Sequence, residues 1–357
     1  MTATSPDFSF YINDRNVWLN GSAVAYALIG YGFGIFCITQ PVEWVNLIGA
    51  ILIIHTLLWS AYLVHELIHG NLFQRSLNHV IAQILLFLTG SCYSQYRAVA
   101  SLHLSHHKHR SDFASFSIAN YLNSLPKPVL NWVITLEWLY FPIVEFGLRW
   151  MVAISPFLEP HRRDERLKNT LLLLLRGGLF IALALYSVKA VILYFIAYIS
   201  FINILRFVDC FQHTYEVFQF GEAIPQFDLA YEEAHTFSNL VSARWSWLNL
   251  LLLNFSYHNA HHRVMRCPWY LLPQLDAELY PRDYRQYITL AQLIRNFHQF
   301  RVDRLFGNQG AVIETENGVS LEQFVGAVGV SFLVAREPLD WLKQPVSKPT
   351  NPATESA

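Results

Sequence analysis

Eight histidines fall into three short clusters: His65-Glu66-Leu67-Ile68-His69, His103-Leu104-Ser105-His106-His107 and His258-Asn259-Ala260-His261-His262. Residues three and four apart share a helix face, so each cluster presents two or three imidazoles in one direction, as metal ligation requires. The chain holds 15 histidines in 357 residues, and two H-x-x-H-H patterns occur among them. At that frequency one such pattern arises by chance about 0.03 times. Eight imidazoles exceed the positions around even an octahedral ion, so the clusters imply two ions. Imidazole suits iron, copper, nickel and zinc. With no cysteine or carboxylate among the ligands, redox iron is the expectation.

These clusters need elements that bring them together, and the composition says which kind. The chain is 53% hydrophobic and 15% aromatic but only 14% charged, with a mean hydropathy of +0.27. An ordinary soluble chain carries roughly 25% charged residues, so most of this one belongs in lipid. Gly21 to Thr39 is uncharged and 19 residues long, about 28 Å as a helix, which matches the hydrocarbon thickness of roughly 30 Å. The break Gln40-Pro41-Val42-Glu43 precedes a second run to Val64, and a further long apolar stretch from Leu171 to Cys210 is interrupted by Lys189 at its middle. The reading is an all-α integral membrane protein with spans near 21–39, 44–64, 169–187 and 190–210. They form two hairpins within a unit at 21–311, after an N-terminal segment at 1–20. The tail is 312–357, and its Pro/Ser/Thr/Lys-rich end, Gln344–Ala357, reads as disordered.

Four spans put all three clusters and both ends of the chain on one side. Segments 65–170 and 206–357 hold 22 of the 25 Lys and Arg, so the positive-inside tendency makes that side, with its helical cap, cytoplasmic. Val80–Leu88 and Val129–Ile154 read as helices lying along the headgroups or packing in the cap. Trp245–Tyr257 has the same ambiguous length. The net charge of -1 argues against a nucleic-acid partner. Four scattered cysteines show neither a zinc-ribbon spacing nor a disulfide framework.

The boxes H-x3-H, H-x2-H-H and H-x2-H-H, in this order around two apolar hairpins, resemble those of the membrane fatty acid desaturase family. Tyr257 to His262, followed by Pro268-Trp269-Tyr270-Leu271-Leu272-Pro273, is similar to its last box and the aromatic-proline stretch after it. The resemblance covers roughly residues 20–300. It implies two iron ions, dioxygen as co-substrate, and removal of hydrogen from an acyl chain. The implied ligands are His65, His69, His103, His106, His107, His258, His261 and His262. A further ligand is implied just beyond the fourth span, where Asp209-Cys210-Phe211-Gln212-His213 makes His213 the ninth imidazole. Asp209, one helical turn earlier, stands where relatives have asparagine and is placed to hold a metal-bound water. His258 replaces the glutamine of the front-end subgroup. With no His-Pro-Gly-Gly haem motif, electrons are expected from a separate ferredoxin, rubredoxin or cytochrome b5 type donor.

Glu66 and Glu216 are candidates to orient ligating imidazoles, with a solvated glutamate as the alternative for each. His235 is a further candidate for contact with the site, His109 sits off the ligating face, and His55 inside the second span is expected to pack through a hydrogen bond. His79, His161 and His298 read as surface residues. A competing reading comes from His65-Glu66-x-x-His69, which satisfies H-E-x-x-H and would make a membrane zinc metalloprotease. That reading leaves six clustered histidines unused, and a metal transporter would want more polar residues within the spans. The expected function is dioxygen-dependent desaturation of a fatty acyl chain, as acyl lipid or acyl thioester. Hydroxylation or ketolation of a lipid or carotenoid is the alternative with the same boxes.

Overall fold

The computed structural model describes residues 8–220, 222–281, 284–307, 313–315, 318–328 and 333–335. The expected disordered end, Gln344–Ala357, lies outside the described residues. The chain is mostly helical. A short helix α1 (Ser9–Asn13) leads into α2 (Val17–Ile38) and α3 (Glu43–His69), followed by α4 (Arg75–Leu88) and α5 (Tyr96–His109). Next come α6 (Ile118–Asn123), α7 (Lys127–Trp138), α8 (Ile143–Leu158), α9 (Arg166–Tyr186) and α10 (Val188–Asp209). The last helices are α11 (Leu229–Ala234), α12 (His258–Arg263), α13 (Leu272–Leu279) and α14 (Leu290–Gln299). Among the described residues, four helical stretches are long and apolar enough to cross a bilayer: Val17–Ile38, Glu43–His69, Pro160–Tyr186 and Val188–Asp209.

Lipid tails are as apolar as leucine, so burying leucine between spans gains little, and close packing must hold them together. Gly34 and Gly49 provide it where α2 meets α3. A Cβ on Gly49 would lie 2.7 Å from the Cys37 Cβ and 2.9 Å from the Gly34 carbonyl oxygen. α10 packs on both α2 and α3, whereas α9 touches the bundle mainly through α10. Lys189 donates from Nζ to the Gln40 carbonyl oxygen at 2.9 Å and to Asn46 Oδ1 at 2.7 Å. The turn after α2 and the turn before α10 therefore meet at the same end of the bundle, away from the histidine boxes.

The α7–α8 pair is bent by 113° at its break. Its tryptophans Trp132, Trp138 and Trp150 face outward, as the sequence suggested. Its charges do not. Glu137 is buried and accepts from Arg206 Nη1 of α10 at 2.9 Å and from the Val144 backbone N–H at 2.9 Å. Glu145 accepts from Arg149 Nε at 3.0 Å, and Arg149 reaches the Thr89 carbonyl and the Ser91 hydroxyl. Charges near lipid are costly unless paired, and here they are paired inward.

Two small sheets accompany the helices. β1 (Asp112–Ala114) pairs in parallel with β2 (Val217–Gln219), and β3 (Ile313–Thr315) pairs antiparallel with β4 (Gly318–Ser320). The first joins the end of the second box to the segment that follows α10. The N-terminal segment is also part of the packing: Tyr11 is buried with Tyr257, Ala260 and Val264, beside the third box.

Candidate metal centre

Each box sits where a helix ends. His65 and His69 occupy the last two turns of α3, which stops at Gly70 in the left-handed conformation, φ 73°, a backbone position that glycine takes without a Cβ penalty. His103, His106 and His107 are on the last turns of α5, which closes on Arg110 at φ 53°. His258, His261 and His262 make up half of the six-residue helix α12. All eight side chains are buried.

They converge as two groups. In the first, one ring nitrogen from each of His65, His69, His103, His107 and His261 lies within 4.8 Å of all the others. His103 Nε2 is 3.0 Å from His69 Nε2 and 3.1 Å from His107 Nε2, which is 3.2 Å from His261 Nε2. In the second, His106, His213 and His262 meet the same condition. His213 Nε2 lies 3.1 Å from His106 Nε2 and 2.7 Å from His258 Nε2, so His258 joins that group. The groups touch, because the His107 and His262 rings are 4.2 Å apart.

This donor set fits metal ions. Metal–nitrogen bonds of about 2.1 Å meeting at a right angle put neighbouring nitrogens about 3 Å apart, which is the spacing seen here. His262 Nε2 is buried with no hydrogen-bonding partner among the described residues, while its Nδ1 faces a carboxylate. Burial, reinforced by the neighbouring imidazoles, pushes His103, His107, His213, His258 and His262 well below the usual histidine range, and His261 down to about 3. Neutral rings with free lone pairs are what a cation needs.

The orienting groups differ from the sequence reading at one of the two glutamates. Glu66 Oε1 lies 3.5 Å from His65 Nδ1, and Oε2 accepts from the Trp269 backbone N–H at 3.1 Å and Asn71 Nδ2 at 3.2 Å. This carboxylate is held between α3 and the stretch after the third box, an arrangement that disfavours the water-activating role of a protease glutamate. Glu216 does not orient an imidazole. It precedes β2 with an exposed side chain, and its backbone bonds to the Asp112 N–H and the Tyr231 hydroxyl. The buried Tyr215 beside it stacks on His213 instead, ring centroids 4.3 Å apart.

Asp112 and Glu232 stand in the position expected for Glu216. Asp112 Oδ1 is 2.9 Å from His106 Nδ1, and Glu232 Oε1 is 3.1 Å from His262 Nδ1, with Glu232 Oε2 accepting from Arg110 Nε at 2.7 Å. Sequence reasoning passed over both. Asp112 lies five residues beyond the second box, a signal that was available. Glu232 is far from any box, and only the fold brings it in.

His213 was expected on the helical face shared with Asp209, but α10 ends at Asp209. His213 is instead presented by an extended segment bridged to Thr236, with the Thr214 N–H donating to the His235 carbonyl at 3.0 Å. Both Asp209 carboxylate oxygens are buried without a hydrogen-bonding partner among the described residues. His235 turns away, its Nδ1 2.8 Å from the Tyr231 carbonyl oxygen, and it belongs to neither group. His109 likewise stands outside, against Phe113. His79, His161 and His298 are exposed.

The fold and site define a mostly helical protein with four candidate membrane spans and a buried histidine cluster suited to metal. The family model described as fatty acid desaturase matches residues 43–293, more than two thirds of the chain, and the protein belongs to that family. Among curated proteins, no sequence match to the chain is found.

Proposed function

We propose that the protein desaturates a fatty acyl chain, presented as an acyl lipid or acyl thioester, using dioxygen and electrons from a separate ferredoxin, rubredoxin or cytochrome b5 type donor. The observation that carries this reading is the division of nine imidazoles, eight buried and His213 partly so, into five and four, one set per ion. The first ion would be held by His65, His69, His103, His107 and His261. The second would be held by His106, His213, His258 and His262, and Asp209 would hold a water beside it. Bound iron would supply the redox chemistry by which dioxygen, two electrons and two protons turn a –CH2–CH2– pair into –CH=CH– and two waters.

The chain's own residues do the rest. Asp112 and Glu232 accept from the Nδ1–H of His106 and His262, which fixes the tautomer and leaves each Nε2 lone pair inward. Phe255 packs on His65 at 4.7 Å and on His258 at 5.3 Å, stacked on Tyr62 at 4.5 Å, so the site rests on aromatic rings that exclude water. The basic residues of the box-bearing segments support a cytoplasmic site. The test is iron content joined to product: about two irons per chain, and a new double bond in host lipids by mass spectrometry when the protein is expressed in a host lacking the activity. Zinc in place of iron in an active preparation overturns the metal assignment. A hydroxylated lipid as the product overturns desaturation.

A further inference from the structure

The apolar run before the third box forms a 3-10 helix, Ser246–Leu252, that exposes Trp247, Leu250 and Leu251, with Trp245 exposed at its N-cap. Trp247 is 68% exposed. Its depth can be read from α3. His55 Nε2 lies 3.1 Å from the Leu251 carbonyl oxygen, and His55 precedes His69 by fourteen residues, about 21 Å of helix. With Glu43 at the far boundary, roughly 30 Å of hydrocarbon ends near Leu63, which puts His55 and the Leu251 carbonyl about 12 Å inside.

We infer that Trp245–Leu252 is a re-entrant segment that enters the bilayer beside α3, with lipid acyl chains as its partner and His55 as its anchor. Non-helical backbone survives at such depth only if its polar groups are satisfied within the protein. Asn249 is fully buried and does this for the segment's approach. Its Oδ1 accepts from the Val241 and Ser242 backbone N–H groups, and its Nδ2 donates to the Ser242 and Ser246 carbonyls and to Tyr257 Oη. The carbonyl at Leu251 is served by His55 from the span. A carbonyl accepts only, so His55 Nε2 carries the hydrogen and Nδ1 accepts from the Tyr26 hydroxyl at 2.5 Å.

That use accounts for a histidine inside a span, which is costly without a partner. Arg244 lies over the Trp245 ring at 5.3 Å, a cation and an indole together where the segment would leave the hydrocarbon. The chain then reverses through Leu253 and Asn254, both left-handed at φ 51° and 58°, a conformation uncommon outside glycine. Asn254 Nδ2 donates to the Trp269 carbonyl at 3.0 Å. This elbow delivers Phe255 beneath the first histidine group and His258 into the second.

Spin labelling in liposomes tests the insertion, and its readout does not depend on iron or activity. The four native cysteines are buried, so a label on Leu251→Cys is specific. In phosphatidylcholine vesicles it should collide with oxygen and exclude a nickel chelate to the same degree as a label on Leu174→Cys, on the outer face of α9. Nickel accessibility equal to that of a label on Glu222→Cys, an exposed loop position, overturns the insertion. Adding His55→Leu should expose the Leu251→Cys label to nickel, and His55→Gln, which keeps a donor, should restore exclusion. Continued exclusion with His55→Leu overturns the anchoring role.

Discussion

The two histidine groups are held in different ways. The five-ring group is assembled from helix ends. Beside it Glu66 lies 3.5 Å from His65 and a Glu232 oxygen comes within 4.8 Å of a His107 ring nitrogen, yet the Nδ1 atoms of His107 and His261 are buried without a hydrogen-bonding partner among the described residues. The four-ring group draws on a helix, a six-residue helix and an extended strap, and polar partners hold it: Asp112 on His106, Glu232 on His262, and the Thr236 hydroxyl 3.4 Å from His213 Nδ1. A ring on a packed span is oriented by sterics, because close-packed interiors leave few rotamers open. A ring on a loop has more freedom and needs a directional bond to lose it. The four-ring group should therefore be the more sensitive to changes outside its ligands.

The strongest challenge to this contrast removes the five-ring ligand whose ring touches the other group, His107 against His262. His107→Ala should abolish turnover and reduce iron well below two per chain by elemental analysis, whereas His79→Ala should leave both intact. His213→Ala comes next: it should empty the four-ring group and keep the five-ring group, giving about one iron per chain and no product. His235→Ala should keep two irons, and the reverse pattern would move the ninth ligand to His235.

A smaller effect sharpens the comparison. Asp112→Asn and Glu232→Gln should each weaken metal binding or activity by about 10–100-fold, with the loss confined to one iron in a competition against a chelator. Glu216→Gln should change nothing, since its side chain faces solvent. Equal loss of both irons in the Glu232→Gln protein would erase the distinction between the groups.

The smallest expected effect is on the stability of the metal-free protein. Burial depresses the folded-state values of His103, His107, His213, His258, His261 and His262, while the unfolded chain takes up protons near pH 6.5. Below that value the unfolded state binds more protons, so stability is greatest above it and falls as the pH drops. The melting temperature of the metal-free protein in detergent should decline between about pH 7 and pH 5, and bound iron should blunt the decline. A midpoint flat across that range would mean that the rings are not buried as described.

The sequence by itself determined the membrane character, the four candidate spans and the eight box histidines. Apolar runs of sufficient length have few alternatives to a lipid-facing helix, and repeated i, i+3, i+4 histidines have few alternatives to a metal. It also located His213 without its geometry, since a helix cannot be seen to stop at Asp209 when nothing in the local sequence marks a break.

The tertiary structure decided how the boxes are divided. In the second box His103 and His107, one turn apart, join the five-ring group and His106 goes to the other. In the third box His258 and His262 join the four-ring group and His261 crosses back. The spacing is the same in both boxes, so it carries no information about this choice. What decides is the direction from which α5 and α12 approach, set by contacts distant in sequence. The same reason hid Glu232, which lies 30 residues from the histidine it holds, and it left the Glu216 side chain exposed just before β2. Residue type and local period are written in the chain, but the side of a neighbour that a side chain meets exists only once the neighbours are in place.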